Sequence, residues 1–189
     1  DGLCRNKKTG RIIRACVPMH CLGHPAEIDK IKAICSLHNI KLIEDSAESL
    51  GSTYKGKHTG SYGESSIISF NGNKIITCGG GGMVLTNSEA VEQKVRHLTT
   101  TAKEKHDWAF THNEVGYNYR LPNINAALGF SQMEKLENYV KNKRIIAEKY
   151  KDFFRNNEHN FVVEPKNCKS NYWFNAFFSK DLIERDAIL

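Results

Sequence analysis

Long apolar runs are missing from this 189-residue chain, which excludes a helix that spans a bilayer, since that needs about 20 consecutive apolar residues. Internal repeats and low-complexity tracts are missing too. With 40% hydrophobic and 25% charged residues, the composition is that of a globular domain and not of a disordered or collagen-like chain. The first residues, DGLCRNKKTG, have neither the apolar core nor the cleavage site of a signal peptide. Six cysteines are scattered without CxxC pairs, and without a leader they are expected to be reduced thiols of a cytoplasmic protein. Cys16, His20, Cys21 and His24 lie close together, but Pro18 and Pro25 interrupt them and no zinc-ligand spacing is matched, so no metal site is expected. The net charge of +6 contains no block of one sign. Cations between Lys135 and Arg155 alternate with Glu137, Glu148 and Asp152, the pattern of a solvated helix face and not of a nucleic-acid patch. Neither nucleic acid nor a membrane is therefore expected as a partner. The chain lacks an initiator methionine, and SKDLIERDAIL stops inside the start of a helix, so both ends are expected to be cut.

What is present alternates between strand and helix periods. Residues 11–17 read as a strand ended by Pro18. Ile28, Ile31, Ile34 and Leu37 recur at helical spacing, with Asn39 suited to the exit, and residues 40–43 read as a buried strand. This βαβ order brings Glu44 and Asp45 to the ligand-binding edge of a parallel sheet. Residues 46–64, with four glycines, read as a long functional loop containing a short turn of helix. Residues 66–70 and 83–86 are strands, and between them Asn71-Gly72-Asn73 forms a turn that holds Lys74 beside Ile75 and Ile76. Asn87 or Ser88 caps a helix from about Glu89, and residues 99–113 are irregular. A long helix begins near Pro122, with a break at residues 138–142. Short β-rich pieces at residues 161–163 and 172–178 follow, so the domains are expected at 1–157 and 158–189. Trp173 and Phe174 are read as core of the smaller unit rather than as a sugar platform.

Three residues along the central stretch fit one cofactor. Asp45 at a strand end suits a protonated ring nitrogen, Ser69 suits a phosphate, and Lys74, among isoleucines and glycines, suits imine formation with an aldehyde. Those are the needs of pyridoxal 5'-phosphate. A carboxylate opposite the pyridine nitrogen keeps it cationic, and a partly buried lysine can also move the substrate's proton.

The ordered runs PMHCLGHPAEIDKI, LIEDSAESLGSTYKGKHTGSYGE, SFNGNKIITCGGGGMVLTN and GYNYRLPNINAALGFSQMEKL resemble the DegT/StrS-type sugar-nucleotide aminotransferases, over roughly residues 16–155. The resemblance includes features close to the LegC-like branch, which aminates a UDP-linked 4-keto-6-deoxy sugar. The resemblance implies an α/β, PLP-dependent transferase fold of the aspartate-aminotransferase type. The chain would supply the second half of the large-domain sheet and the start of a small α+β C-terminal domain. It implies that Lys74 carries the cofactor and shuttles the proton, that Asp45 faces the ring nitrogen and that Ser69 binds the phosphate. Asn118, in GYNYR, would reach the cofactor of the neighbouring subunit in a homodimer. Family members mostly carry Gln three residues after the aspartate, where this chain has Glu48, kept as a cofactor-side residue. His20, Tyr54 and Tyr117 are substrate-side candidates. The implied reaction is transamination of a nucleotide-linked keto-sugar, with glutamate as amino donor. Two alternatives stay open at this point: a non-catalytic or truncated relative that retains the fold, and a PLP sugar dehydratase, although related dehydratases carry His in place of the lysine kept here as Lys74. The upstream phosphate loop and ring-stacking aromatic of the family are not found in this sequence.

Overall fold

The computed structural model describes residues 3–157 and 159–189. Strand β1 is confined to Ala15–Cys16, shorter than the expected strand over residues 11–17. A single 3₁₀ turn at Cys21–Gly23 leads to helix α1, Ile28–Leu37. Asn39, in the left-handed region at φ 51°, turns the chain out of it, as its residue type foretold. The isoleucine stripe of α1 is only partly used: Ile28 is enclosed and Cys35 takes the other inner position, whereas Ile34 and Leu37 are largely exposed.

Strand β2 follows at Lys41–Asp45. The glycine-rich stretch after it holds a hairpin, β3 (Thr53–Tyr54) and β4 (Lys57–His58), where a turn of helix was expected. Lys55 and Gly56 both have positive φ (48° and 77°), the signature of a tight hairpin turn that Gly56 makes accessible. Strands β5 (Ser65–Ser69) and β6 (Gly82–Thr86) enclose the lysine turn. Helix α2 spans Glu89–Thr99, and the Ser88 hydroxyl accepts the Val91 N–H at 3.4 Å as its cap.

The single long helix expected from Pro122 is two helices, α3 (Asn123–Met133) and α4 (Leu136–Phe154). The break falls at Glu134 and Lys135, not at residues 138–142. Val140, in the middle of that stretch, is buried, and its packing keeps the helix continuous. At the true break Lys135 leaves the helical region (φ −105°, ψ 2°), while Gln132 of α3 accepts the Thr77 N–H at 2.9 Å. Strands β7 (Asn160–Phe161), β8 (Cys168–Lys169) and β9 (Phe177–Phe178) and helix α5 (Leu182–Ile188) complete the order.

The main sheet has the order β1-β2-β5-β6, the first three parallel and β6 antiparallel at the edge. Register decides which side chains share a face, because successive residues alternate sides. Ile43, Glu44 and Asp45 pair with Ser65, Ser66 and Ile67. Leu42, Glu44, Ser66 and Ile68 therefore point to one face, and all four are buried. On that face α1 closes a core of Ile28, Cys35, Leu42 and Tyr54. Asp45 and Ser69 lie on the opposite face, together with exposed Ile67 and Val84. A second core of Ile68, Phe70, Ile76 and Cys78 roots the lysine turn. Strand β8 joins β3 and β4 in a small antiparallel sheet, and β7 pairs with β9.

Candidate active site

The C-terminal ends of β2 and β5 deliver two of the three cofactor-type residues to one sheet edge and one sheet face, the position where open α/β sheets bind ligands. The Asp45 backbone is fixed on both sides: its N–H donates to Pro18 O (2.9 Å) and its carbonyl accepts the His20 N–H (3.1 Å). Its carboxylate accepts the Ala47 N–H at 3.1 Å. Among the described residues no other group reaches it, so it has acceptor capacity to spare. Ser69 Oγ accepts the Asn71 N–H at 3.3 Å and keeps its own proton available for an anion.

Lys74 lies in the turn that Asn71 begins, its N–H donating to Asn71 O at 3.1 Å. Its side chain is only 14% exposed. The ammonium sits 3.7 Å from the centroid of the Trp173 ring and 3.9 Å from Glu48 Oε1. Glu48 is itself tethered by the Leu22 N–H, which donates to Oε2 at 2.7 Å. Leu22 adopts φ 57°, a left-handed conformation costly for leucine, held in place by its surroundings. An acceptor carboxylate, a hydroxyl donor and a primary amine are the donor set that pyridoxal phosphate needs, and the residues present fit it. After the lysine, Gly82 runs so close to β5 that a Cβ would stand 2.6 Å from Ile68 O, which only glycine tolerates.

The residue beside Asp45 has a different task. Glu44 is fully buried and accepts four hydrogen bonds: from His20 Nε2 (3.1 Å) and from the amides of Gly60 (2.8 Å), Tyr62 (2.6 Å) and Gly63 (2.7 Å). Burial pushes its carboxyl up, but the hydrogen bonds from His20 and the three amides outweigh burial and hold it below the usual glutamate range. His20 Nδ1 accepts the Ala26 N–H at 3.0 Å, which leaves the proton on Nε2 for Glu44. With both nitrogens engaged and no exposed edge, His20 braces the sheet end from behind and offers nothing to a substrate.

The other substrate-side candidates have partners of their own. Tyr54 is buried in β3 and its hydroxyl donates to Asp29 Oδ1 at 2.8 Å. The Lys55 ammonium and then that hydroxyl lower the Asp29 carboxyl to about 2. Tyr117 is half exposed and stacks on Tyr119, with ring centroids 5.1 Å apart. Asn118 is exposed and bridges to Thr100.

Trp173 was read as core of a smaller unit, and the structure corrects this. It is buried, but against the lysine turn: its indole Nε1–H donates to Asn73 O at 2.7 Å. Phe174, also assigned to core, is stacked on Trp173 at 3.9 Å and nearly half exposed. Asn171 holds this segment in place. Its amide nitrogen donates to Glu48 O (2.8 Å) and Leu50 O (2.9 Å), and its Oδ1 accepts the Trp173 N–H (2.8 Å). The sequence signal was Asn171-Tyr172-Trp173, an uncommon concentration of hydrogen-bonding side chains in an otherwise apolar stretch.

A groove of about 1050 Å³ lies elsewhere, between α4 and β3, and includes Leu50, Thr53, Val140 and Arg144 but none of Lys74, Asp45 or Ser69. Among the described residues no three His, Cys, Asp or Glu side chains are placed to hold a metal ion, and no helix is long and apolar enough to cross a membrane.

The family model described as DegT/DnrJ/EryC1/StrS aminotransferase family matches residues 6–188. EpsN of Bacillus subtilis (strain 168), whose name carries a provisional pyridoxal phosphate-dependent aminotransferase assignment, is 38% identical over 188 residues, 96% of this chain and 48% of that protein. A GDP-perosamine synthase of Escherichia coli O157:H7 is 36% identical over 178 residues, 93% of this chain and 48% of that protein. Among solved structures, Helicobacter pylori PseC, an aminotransferase involved in the biosynthesis of pseudoaminic acid, superimposes with a TM-score of 0.82 at 27% identity, covering 87% of this chain and 45% of that one. The chain thus spans about half the length of the curated relatives it matches. Its architecture is the α/β fold of these PLP-dependent sugar aminotransferases, and the chain belongs to the DegT/DnrJ/EryC1/StrS aminotransferase family.

Proposed function

We propose that the whole protein transfers an amino group, with pyridoxal phosphate, to a keto-sugar carried on a nucleotide, and that glutamate is the donor. The observation that carries the reading is the enclosed Lys74 amine beside a sheet edge that presents Asp45 and Ser69 on one face. When bound, the cofactor supplies an aldehyde for the amino group and an aromatic ring that accepts electrons as the substrate's proton leaves. With the cofactor bound, Asp45 would accept a hydrogen bond from its ring nitrogen and favour the protonated ring. Ser69 would donate its hydroxyl proton in a hydrogen bond to the phosphate. Lys74 would hold the cofactor through Nζ and would take and return the substrate's proton at that atom. Glu48, fixed by Leu22, sits beside that nitrogen as a carboxylate at the position where the family resemblance implies a neutral glutamine.

The sugar class is supported by relatives named GDP-perosamine synthase, whereas UDP as the carrier rests on the LegC-like features alone. A homodimer in which Asn118 reaches the partner's site is supported by the exposure of Asn118, Tyr117 and Tyr119. The same reading includes a cytoplasmic location and a division of the whole protein into large and small domains near residue 157.

The test is amino transfer by the complete protein from glutamate to a UDP-linked and a GDP-linked 4-keto-6-deoxy sugar. Turnover of either, lost at least a thousandfold in Lys74→Ala, is the expected result. Undiminished turnover in Lys74→Ala would refute the assignment, and the nucleotide preferred selects between the two carriers.

A further inference from the structure

Lys74 does not sit free in its pocket. Lysine carries about 2 kcal/mol of rotamer entropy, and an unrestrained amine at the end of four methylenes would sample many positions. Here the ammonium lies 3.7 Å from the Trp173 ring centroid and 3.9 Å from Glu48 Oε1, so two groups of complementary charge character face it. The main chain under both groups is held by one side chain. Asn171 accepts the Trp173 backbone N–H and donates to the Glu48 backbone carbonyl, while the Leu22 N–H holds the Glu48 carboxylate itself. The indole N–H closes the arrangement by donating to Asn73 O, the carbonyl directly before Lys74. Trp173 is 6% exposed and cannot turn away without losing that bond.

We propose that Trp173 is a positioning residue for Lys74: with Glu48 it forms an indole–carboxylate clasp that fixes where the amine is when no cofactor is attached to it. The inference rests on the reading of Lys74 as the cofactor-bearing residue, which gives the clasp its consequence. The clasp gathers the free amine at one place from which it meets an incoming aldehyde and to which it returns after being displaced. Trp173 thus acts through Lys74 and touches no reacting atom in this account. Its sequence separation from Lys74 also makes the lysine's position depend on the docking of the segment that follows α4.

The experiment uses the complete protein freed of cofactor and an amine-acylating reagent, with labelling of each lysine followed by peptide mapping. In Trp173→Leu, Lys74 should label roughly three- to thirtyfold faster than in the wild type, the range a lost cation–ring contact corresponds to. Lys55 and Lys94, which pair with Asp29 and Glu114, serve as references for general unfolding and should keep their rates. Trp173→Phe, which keeps an aromatic face, should stay within about threefold of the wild type. Glu48→Gln tests the other jaw without cutting the core, and it too should speed Lys74 labelling, by about two- to tenfold. Wild-type rates at Lys74 in both Trp173→Leu and Glu48→Gln would overturn the clasp, even if added pyridoxal phosphate is still captured. Failure of the wild type to capture pyridoxal phosphate would instead refute the functional reading and leave the labelling comparison standing.

Discussion

A carboxylate can accept about four hydrogen bonds, and Glu44 uses that capacity in full on His20 and three backbone amides, while Asp45 next to it accepts one. Glu44→Ala should therefore strand four donors, two buried and two partly buried, and cost about 3–5 kcal/mol in denaturant unfolding, and Glu44→Gln about 1–3 kcal/mol. The acid response has a definite sign. Because the folded-state carboxyl is held below its ordinary value, the stabilisation is complete above about pH 4.3, the unfolded value, and is lost as pH falls through the lower native value. Unfolding midpoints measured between pH 6 and pH 3 should fall less steeply in Glu44→Gln than in the wild type. An equal slope in both would remove Glu44 from the acid response. Asp45 and Lys74 stand out as candidates from residue type and order. That Glu44 would be the structural half of the pair was not legible there, since adjacent acids on a strand differ only in which face they reach, and that is decided by pairing with β5.

Elements defined by local chemistry were legible: Asn39 ends α1, Ser88 caps α2, and the βαβ order places Asp45 at a strand end. The break between α3 and α4 was misplaced because Asn138 and Asn142 look like helix breakers locally, whereas burial of Val140 overrides them. The contribution of the segment before β9 was invisible for a related reason, being a long-range contact with no local signature. Arg144 on α4 secures that segment with a bidentate pair to Glu164 (2.7 and 2.8 Å) and a bond to Ser170 O (2.7 Å). Arg144→Lys, which keeps the charge but loses the fork, should cost about 1–2 kcal/mol and loosen the Trp173 segment, read as faster amide exchange over residues 170–173. Unchanged exchange would show that α4 does not secure it. Gly23 tests the same junction from the other side. At φ +88°, with Asn171 Oδ1 1.8 Å from where a Cβ would be, Gly23→Ala should lose about 2 kcal/mol or more, measurable as a lowered thermal midpoint.

At the scale of the whole molecule, one face of the main sheet and the surface around α3 are apolar and uncovered. Ile67 and Val84 are exposed on the face that carries Asp45 and Ser69, and Phe130 on α3 is 72% exposed. Soluble monomers rarely leave contiguous apolar patches of this kind open. In the complete protein, light scattering should report a dimer, and Phe130→Asp should shift it towards monomer; a wild-type monomer would contradict the proposed assembly. The overall class was legible because the motifs of the family occur in order, but the site's dependence on distant segments emerges only when strands and loops are placed in space. All of these arguments converge on one nitrogen atom. The most direct measurement is borohydride reduction of the complete protein with pyridoxal phosphate, followed by mapping of the pyridoxyl group to a peptide. The account predicts the label on Lys74 Nζ and its loss in Lys74→Ala. A label on another lysine, or none on the wild type, would contradict it.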